Sequence, residues 1–366
     1  MIKKDKKNVA LIYGGNSTEH EISIRSARNI AKAVDSSLFE TIPIGIGKDG
    51  TWYLKTVNEL NAEDVVMKND QLLALTPGSK DQKFLNISTQ KSIGKIDIAF
   101  PIVHGTNGED GTLQGLLKTI QIPFVGPNVI GSALCIDKDV AKRLMNEAGI
   151  SNAPFLSYQK SERNQIKFEK VVDSIGLPMY IKPPNLGSSV GISKVNSKKE
   201  FDIAVDHAFL FDQKIIIEKN IVGREIECAV LGNSSPKASH VGEVVTVSDN
   251  HDFYSYEAKY IDANGSKTVI PADLTQELQK RIQNIALKTF KTLCCEGMAR
   301  VDVFVTEDDE IVVNEVNTLP GFTDISMYPK LWGASGINYA ELISQLLLLA
   351  IERFENENEN LTHLNV

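Results

Sequence analysis

The sequence lacks a long hydrophobic run. The longest one near the C-terminus, Leu342–Ile351, has ten residues and contains Ser344 and Gln345. A transmembrane helix needs about 20 consecutive apolar residues, so this run predicts a buried helix instead of a membrane span. Residues 1–7 are basic but precede a strand-like segment, not the apolar core of a signal peptide. The absence of both features predicts a cytoplasmic protein with no membrane partner.

Cysteine is scarce too, with four residues among 366. Their spacing is not that of metal ligands, and the adjacent Cys294 and Cys295 fall in a helical pattern. Free cysteine is usually buried, so we expect this pair to lie in the core or at a helix end. The other two, Cys135 and Cys228, stand alone in the sequence. This usage is typical of a cytosolic protein.

Neither sign of charge dominates, and the chain has no internal repeat. There are 39 Lys and Arg residues against 47 Asp and Glu residues, which gives a net charge of −8. This acidic balance argues against a general nucleic-acid-binding protein. Hydrophobic residues make up 42% of the chain, enough for a folded core, so disorder is excluded as the main state. At roughly 150 residues per domain, the length predicts two to three domains.

The first third of the chain alternates strand and helix patterns. A helical face with Ala27, Ile30 and Val34 follows the first predicted strand. This order predicts a parallel sheet with helices on its faces. Residues 55–95 are polar, and we predict an irregular insertion there. The predicted strands are Asn8–Tyr13, Phe39–Ile46, Ile96–Val103 and Phe124–Gly126.

Beyond Gly149 the pattern changes to strands that are linked directly by turns, which predicts antiparallel sheets. The polar tail 355–366 is expected to fray. A hairpin is predicted from Val301–Val305 and Ile311–Val316, and the other predicted strands are Met179–Lys182, Val190–Val195, Ile215–Lys219, Glu225–Leu231 and Val241–Val247. The predicted helices cover residues 137–149, 165–175, 198–211, 275–293 and 339–354.

The predicted hairpin groups polar side chains on one face. Alternation places Arg300 with Asp302 and Glu315 with Asn317. A turn centred on residues 308–309 sets Asp302 opposite Glu315, and Arg300 opposite Asn317. Facing carboxylates repel each other, and such oxygen ligands suit Mg²⁺. The spacing leaves two interpretations open: a metal site, or a solvated face on which Arg300 pairs with Glu315.

A glycine-rich segment, KPPNLGSSVG at residues 182–191, lies between two predicted strands. Backbone amides of Gly and Ser can wrap a phosphate. The segment matches neither the Walker loop nor the dinucleotide fingerprint, so a plain glycine turn is the alternative interpretation. Lys138, just inside a predicted helix, is a second candidate phosphate ligand, against the alternative of a surface lysine.

Three more loops carry polar or aromatic side chains. Glu19 follows Gly14-Gly15 at the end of the first strand, where it would hold a substrate ammonium or only complement a helix dipole. His104 begins a loop with four glycines in twelve residues. The aromatic loop Phe253–Tyr260 contains one lysine, and it fits either a closing lid or a loop packed on the core.

Together and in this order, these segments resemble the D-alanine–D-alanine ligases of the ATP-grasp superfamily. The resemblance extends from Val9 to about Glu352. It is carried by GGNSTEHEIS (14–23), HGTNGEDGTLQG (104–115), DK (137–138), IKPPNLGSSVGISKV (181–195), IIEKNIVGREIECAVLG (216–232), FYSYEAKY (253–260), GMARVDVF (297–304) and NEVNTLPGFTDIS (314–326).

The resemblance implies an α/β protein of the ATP-grasp fold. It implies an N-terminal parallel, Rossmann-like α/β domain at residues 1–136, with an insertion at about 55–95. An α+β central lobe at 137–222 and an α+β C-terminal lobe at 223–366, with a lid loop at about 248–262, would grip ATP between them. The implied reaction converts two D-alanine and ATP to D-alanyl-D-alanine, ADP and phosphate through a D-alanyl phosphate, for peptidoglycan precursors. A homodimer is also implied.

The resemblance also implies roles for individual residues. The residues implied in catalysis are Glu19, Ser188, Tyr260, Arg300 and Gly321. The substrate would be bound by His104, Lys259, Ser326 and Met327. ATP would be bound by Lys138, Lys182, Ser188, Ser189, Val190, Glu218, Lys219, Ile221, Glu225 and Lys259. Mg²⁺ or Mn²⁺, as two ions, would be held by Asp302, Glu315 and Asn317.

Other functions fit parts of the pattern. Another ATP-grasp carboxylate–amine ligase would share the phosphate loop and the hairpin, but Glu19, His104 and Tyr260 favour the dipeptide ligase. Relatives that make D-alanyl-D-lactate carry a His where this chain has Tyr260, which favours D-alanine as the second substrate. A non-catalytic nucleotide-binding protein would be expected to lose Arg300 or a metal ligand. A nicotinamide oxidoreductase is disfavoured because Gly14-Gly15 lacks the third glycine of its fingerprint.

Overall fold

The N-terminal part of the protein is built on a four-stranded sheet. The computed structural model describes residues 6–62, 71–79, 81–246 and 266–359. The N-terminal sheet contains β1 (Lys7–Gly14), β2 (Phe39–Ile46), β3 (Trp52–Leu54) and β7 (Ile98–Pro101), in the order β3-β2-β1-β7. β1 is parallel to β2 and β7, which confirms the predicted parallel core, while β3 is antiparallel to β2. The predicted fourth strand is wrong, because Phe124 makes only an isolated parallel bridge to Ala99.

The described residues between 55 and 95 form more regular structure than predicted. They contain α2 (Val57–Asn61) and a small antiparallel sheet of β4 (Leu73–Leu75), β5 (Phe84–Asn86) and β6 (Lys91–Ser92). Leu73 and Phe84 are buried in the same core cluster as Ile44 of β2. Strands of two or three residues are too short for an alternating pattern to be visible, so the prediction of an irregular segment is wrong.

One helix packs on the N-terminal sheet, and three more follow β7 in the sequence. α1 (His20–Ala33) begins just after β1 and buries Ala27 and Ile30 against the sheet. Two helices, α3 (Thr112–Thr119) and α4 (Val129–Ile136), were not predicted from the sequence. α5 (Lys138–Glu147) confirms the predicted helix at 137–149, with Asp137 capping its N-terminus.

A second, central sheet is antiparallel, as predicted. It contains β8 (Phe155–Gln159), β9 (Met179–Lys182), β10 (Ser193–Val195) and β11 (Lys214–Lys219), in the order β10-β9-β11-β8. α6 (Phe168–Ile175) and α7 (Lys198–Ala208) pack on it, and Phe201 and Ile217 lie in their common core. A 3-10 helix occupies residues 160–165, and α6 begins at Phe168, three residues later than the predicted start at 165.

The C-terminal sheet has five strands. They are β12 (Arg224–Gly232), β13 (Lys237–Thr246), β14 (Ser266–Val269), β15 (Gly297–Val305) and β16 (Ile311–Asn317), and the helices are α8 (Gln276–Thr292), α9 (Met327–Ala334) and α10 (Tyr339–Glu359). The strand order is β14-β13-β12-β15-β16. Val301 and Val303 of β15 are buried in the same core as Phe290 of the long helix α8.

The last helix is longer than predicted, because α10 continues to Glu359. Arg353 of α10 is buried; its guanidinium donates to the backbone oxygens of Phe124 (2.7 Å) and Gly126 and lies 4.5 Å from the Phe124 ring. Across the described part of the chain, no single helix has the length and hydropathy of a membrane span. α9 and α10 reach that length and hydropathy only when taken together, and they are bent by 104° relative to each other.

Candidate active site

A cavity of about 370 Å³ opens between the central and C-terminal sheets. Its walls come from β9, β11, β12, β15 and β16, and from the glycine-rich segment 182–191. Most of the predicted nucleotide ligands meet there, although they are spread over 88 positions of the sequence from Lys138 to Glu225. The predicted ligands that line the cavity are Lys138, Lys182, Ser188, Ser189, Glu218, Lys219, Ile221 and Glu225.

Two predicted nucleotide ligands are not among the lining residues. Val190 lies next to the lining serines without lining the cavity, and Lys259 falls outside the described residues, as does Tyr260 with the whole predicted lid loop 248–262. Asn220, between Lys219 and Ile221, also lines it.

The glycine-rich segment has an unusual backbone at its two serines. Ser188 and Ser189 both have positive φ, 51° and 60°, a conformation that costs energy for residues with a side chain. These angles end the extended path, so β10 begins at Ser193 and the strand predicted from Val190 starts too early. Lys138 contacts the same segment, since its Nζ donates to the backbone oxygen of Leu186 at 2.9 Å.

Three charged side chains form a buried cluster at the base of the cavity. Glu218 lies between two ammonium groups, 2.6 Å from Lys182 Nζ and 3.0 Å from Lys142 Nζ. Burial would raise the pKa of Glu218, but the two lysines outweigh it and lower that pKa. Burial lowers the pKa of Lys142, whose side chain is 1% exposed. Lys142 was not found from the sequence, although it lies one helical turn after Lys138.

The hairpin brings its polar side chains together in the predicted register. Asp302 pairs with Glu315, and Arg300 pairs with Asn317. Arg300 binds both oxygens of Asp302 at 2.7 Å, and Asn317 donates to Asp302 at 2.9 Å. The close ion pairs of Arg300 are with Asp302 and Glu227, whereas Glu315 lies 3.4 Å from Lys138 Nζ.

A third carboxylate, which the sequence did not indicate, adjoins this group. Glu227 of β12 is the cross-strand neighbour of Asp302, and its carboxylate forms an ion pair with Arg300, with Oε2 2.8 Å from Nε. The strand order β12-β15-β16 therefore places Glu227, Asp302 and Glu315 side by side on one face of the sheet. Nothing in the local sequence around Glu227 distinguishes it from a surface strand position.

The predicted metal ligands fit a hard cation by their chemistry. Asp302 and Glu315 line the cavity beside Lys138, and Asn317 adds an amide next to them. Oxygen ligands of this type suit Mg²⁺. Within the described ranges, no group of three or more His, Cys, Asp or Glu side chains has the geometry of a metal site. Arg300 holds both oxygens of Asp302, so a cation would have to replace those contacts.

Glu19 connects the N-terminal part to the glycine-rich segment. Ser188 Oγ donates to Glu19 Oε1 at 2.5 Å across 169 positions of the sequence. Glu19 is 8% exposed, and its side chain does not cap α1, so it does more than complement the helix dipole. Gly105 and Gly187 leave room for it: a Cβ at Gly105 would lie 3.0 Å from Glu19 Oε2.

His104 is buried beside Glu19 and is fixed by hydrogen bonds at both ring nitrogens. Nδ1 is 3.1 Å from the backbone oxygen of Leu319, and Nε2 is 3.2 Å from Ser26 Oγ. Burial would lower the pKa of His104, but the carboxylate of Glu109, 4.0 Å away, and that of Glu19 raise it overall. A pKa raised by folding adds stability below the unfolded value of about 6.5, and this stability is lost as pH rises through the folded value.

We therefore predict that Glu109→Gln lowers the pKa of His104. The amide keeps the shape of the carboxylate but removes the charge that favours the imidazolium. The measurement is an NMR titration of the His104 ring nitrogens in both proteins. Asp110→Asn is the matched control, since Asp110 bonds only backbone groups of its own loop, at Asn107 and Thr112. An unchanged His104 pKa in Glu109→Gln would contradict the prediction.

The remaining predicted residues lie in the loop before α9 and at the first residue of that helix. Ser326 Oγ accepts from the backbone nitrogen of Thr323 at 3.0 Å, and Gly321 approaches it so closely that a Cβ there would be 2.7 Å away. Met327 is buried in the core with Tyr328. Neither Ser326 nor Met327 lines the nucleotide-sized cavity.

Comparison with known proteins agrees with the resemblance. Two family models match the chain: D-ala D-ala ligase N-terminus over residues 8–127 and D-ala D-ala ligase C-terminus over residues 144–348. The D-alanine–D-alanine ligase of Shouchella clausii is 50% identical over 360 residues, which cover 97% of each protein.

Solved structures give the same result. The D-alanine-D-alanine ligase from Coxiella burnetii has a TM-score of 0.86 and 37% identity, with 97% of each chain covered. The VanG D-Ala:D-Ser ligase from Enterococcus faecalis has a TM-score of 0.85 and 36% identity, covering 94% of this chain and 100% of that one. With this coverage and identity, the chain belongs to the D-alanine–D-alanine ligase family and has its ATP-grasp fold.

Proposed function

We propose that this protein joins two D-alanine molecules to D-alanyl-D-alanine and converts ATP to ADP and phosphate. The observation that carries the proposal is the hydrogen bond between Ser188 and Glu19. It brings the residue proposed to hold an amino-acid ammonium against the segment proposed to hold phosphates. An amino acid bound at Glu19 would thus have its carboxylate near the triphosphate.

The reaction then follows from positioning. The carboxylate of the first D-alanine attacks the γ-phosphorus, ADP leaves, and an acyl phosphate forms. The amine of the second D-alanine attacks the acyl carbon, and the tetrahedral species expels phosphate. Lys138 and Lys182, which both line the cavity, supply positive charge for the phosphates. Holding both reactants in place removes much of the entropic cost of bringing them together.

The tetrahedral species carries an oxyanion, for which we propose Arg300 and the backbone amide of Gly321 as donors. Arg300 is held by ion pairs with Asp302 and Glu227. Glu227 is not one of the proposed metal ligands, so it would keep the guanidinium in place when a cation takes the oxygens of Asp302. Ser326 is the proposed ligand of the second carboxylate, beside Met327. The roles of Lys259 and Tyr260 stay predictions from the sequence.

We also propose that Asp302, Glu315 and Asn317 hold Mg²⁺ or Mn²⁺. When bound, such an ion neutralises phosphate charge and withdraws electrons from the transferred group. Lys138 Nζ lies 3.4 Å from Glu315 and donates to the backbone oxygen of Leu186, so it connects the proposed metal ligands with the glycine-rich segment.

The domain limits, the homodimer and the cytoplasmic location remain proposals as well. The limit at 222/223 falls between the central sheet, which ends at Lys219, and the C-terminal sheet, which begins at Arg224. The limit at 136/137 falls between α4 and α5. Light scattering of the purified chain would measure its oligomeric state.

The proposed second substrate is D-alanine. The similarity to the D-Ala:D-Ser ligase makes D-serine a second candidate. Tyr260, at the position where relatives that make D-alanyl-D-lactate carry a His, disfavours D-lactate. We expect D-alanine alone to support phosphate release from MgATP, and L-alanine alone to give none. Mass spectrometry of mixtures with D-serine or D-lactate identifies the product. Absence of D-alanine-dependent release would overturn the proposed function.

A further inference from the structure

Two separate segments present the proposed phosphate ligands, and they must be held in a fixed relation. One is the N-terminus of α5 with Lys138. The other is the glycine-rich segment 182–191, which is called the phosphate segment below. They touch directly, since the backbone nitrogen of Lys138 donates to the oxygen of Pro184 at 3.3 Å, and its Nζ donates to that of Leu186 at 2.9 Å. The side-chain contact is lost when Lys138 Nζ turns to a phosphate, which leaves the single backbone hydrogen bond to Pro184 and makes a second support necessary.

The turn between α7 and β11 contacts the phosphate segment through Asp212. Asp212 Oδ2 accepts from the backbone nitrogen of Asn185 at 3.2 Å and from its side-chain nitrogen at 2.9 Å. Asp212 Oδ1 accepts from the backbone nitrogen of Lys214 at 3.2 Å. One carboxylate thus fixes the phosphate segment to the start of β11.

The same turn contacts the N-terminus of α5 through Lys214. Its Nζ lies 2.6 Å and 2.8 Å from the two oxygens of Asp137 and 3.0 Å from Asp139 Oδ2. Asp137 caps α5 by accepting from the backbone nitrogens of Asp139 and Val140. The Lys214 side chain is 12% exposed, so its charge is largely shielded from solvent and is directed to this helix end. Without Lys214, the carboxylates of Asp137 and Asp139 would repel each other, and the exposed Arg143 would be left to balance the charge of Asp139.

We propose that Asp212 and Lys214 are positioning residues that hold the two phosphate-binding segments together. Neither residue lines the cavity, and neither do Asn185, Asp137 or Asp139, so the turn acts on the nucleotide only through those segments. The inference rests on the proposed function for the identity of the nucleotide. It names the turn 212–214 as a determinant of ATP affinity and not of amino-acid affinity.

The test is Lys214→Met, with Lys214→Arg as the conservative variant. In Lys214→Met we expect the dissociation constant of ADP with Mg²⁺, measured by calorimetry without any amino acid, to rise about tenfold, the size of one lost charged hydrogen bond. The KM for ATP should rise with it, while the KM for D-alanine stays within about twofold of that of the wild type. Lys214→Arg should recover most of the affinity. Lys198→Met is the matched control, because Lys198 makes an exposed ion pair with Glu169 in the same part of the protein.

The loss of ADP affinity in Lys214→Met should also depend on the presence of Asp137. In an Asp137→Asn background, Lys214→Met should raise the dissociation constant by clearly less than tenfold, because the two residues act as a pair. Unchanged ADP affinity in Lys214→Met, or equal effects on the KM values of ATP and D-alanine, would overturn the inference. If Lys214→Met does not fold, Asp212→Asn tests the other half of the turn by the same measurements. Since ADP binding needs no D-alanine, failure of the proposed dipeptide reaction would be seen separately in the wild type.

Discussion

Glu315→Gln is expected to reduce D-alanine-dependent phosphate release by about 10² to 10³-fold, since a metal ligand contributes several kcal/mol at a phosphoryl transfer site. Glu315 lies opposite Asp302 on the hairpin and 3.4 Å from Lys138, at the wall of the cavity. Glutamine keeps the length and one oxygen but removes the charge. The measurement is turnover as a function of Mg²⁺ concentration, together with Mn²⁺ affinity measured by electron paramagnetic resonance in the absence of substrates.

Glu310→Gln is the matched control, since Glu310 is exposed just before the same strand and does not line the cavity. It should leave both turnover and Mn²⁺ affinity unchanged. Glu315→Gln should weaken Mn²⁺ binding and shift the Mg²⁺ requirement to higher concentration while its circular dichroism matches that of the wild type. Turnover within threefold of the wild type would refute the role of Glu315 as a metal ligand.

The hairpin also shows how far a register can be predicted from the sequence. A turn centred on residues 308–309 gives the right partners at the polar end but the wrong ones near the turn. There, Val305 pairs with Ile311 and Val303 with Val313, each one residue earlier than the prediction requires. Asn314 is the extra residue of a bulge, and it restores the predicted pairing at Asp302. Bulges often redirect side chains beside active sites, and no local sequence signal announced this one.

The loops of the site were predictable because each follows a strand end and is rich in glycine. The charged residues that support them were not. Lys214 meets Asp137 across 77 positions, and Glu227 meets Arg300 across two neighbouring strands. Such ion pairs depend on which strands lie side by side, and the strand order is set by packing of the whole sheet. The short strands of residues 71–92 escaped detection for a simpler reason, since none of them contributes more than two buried side chains.

Arg300 illustrates what this packing creates. It is surrounded by the carboxylates of Glu227 and Asp302, with Glu315 on the next strand. Burial would lower the pKa of Arg300, but the neighbouring carboxylates raise it well above its ordinary value, so the guanidinium stays charged. Its planar group binds both oxygens of Asp302 while it contacts Glu227, a geometry that an ammonium group cannot reproduce.

Arg300→Lys is therefore expected to lower kcat by about 10² to 10³-fold, the size of losing one fixed oxyanion donor. The KM for ATP should change little, because Arg300 does not line the nucleotide cavity. The matched control is Arg224→Lys. Arg224 makes the same two-point contact with Glu243, at 2.8 Å and 2.7 Å, but it is exposed. This control separates the loss of a catalytic donor from the general cost of replacing a paired arginine.

A metal titration separates the two catalytic variants, although their residues lie on neighbouring strands. If Arg300 acts on the oxyanion, higher Mg²⁺ will not restore Arg300→Lys, and its Mn²⁺ affinity will match or exceed that of the wild type because the hold on Asp302 is looser. Glu315→Gln should respond to added metal instead. Recovery of Arg300→Lys at high Mg²⁺ would show that Arg300 serves the metal site through Asp302, and it would overturn the assignment of Arg300 as an oxyanion donor.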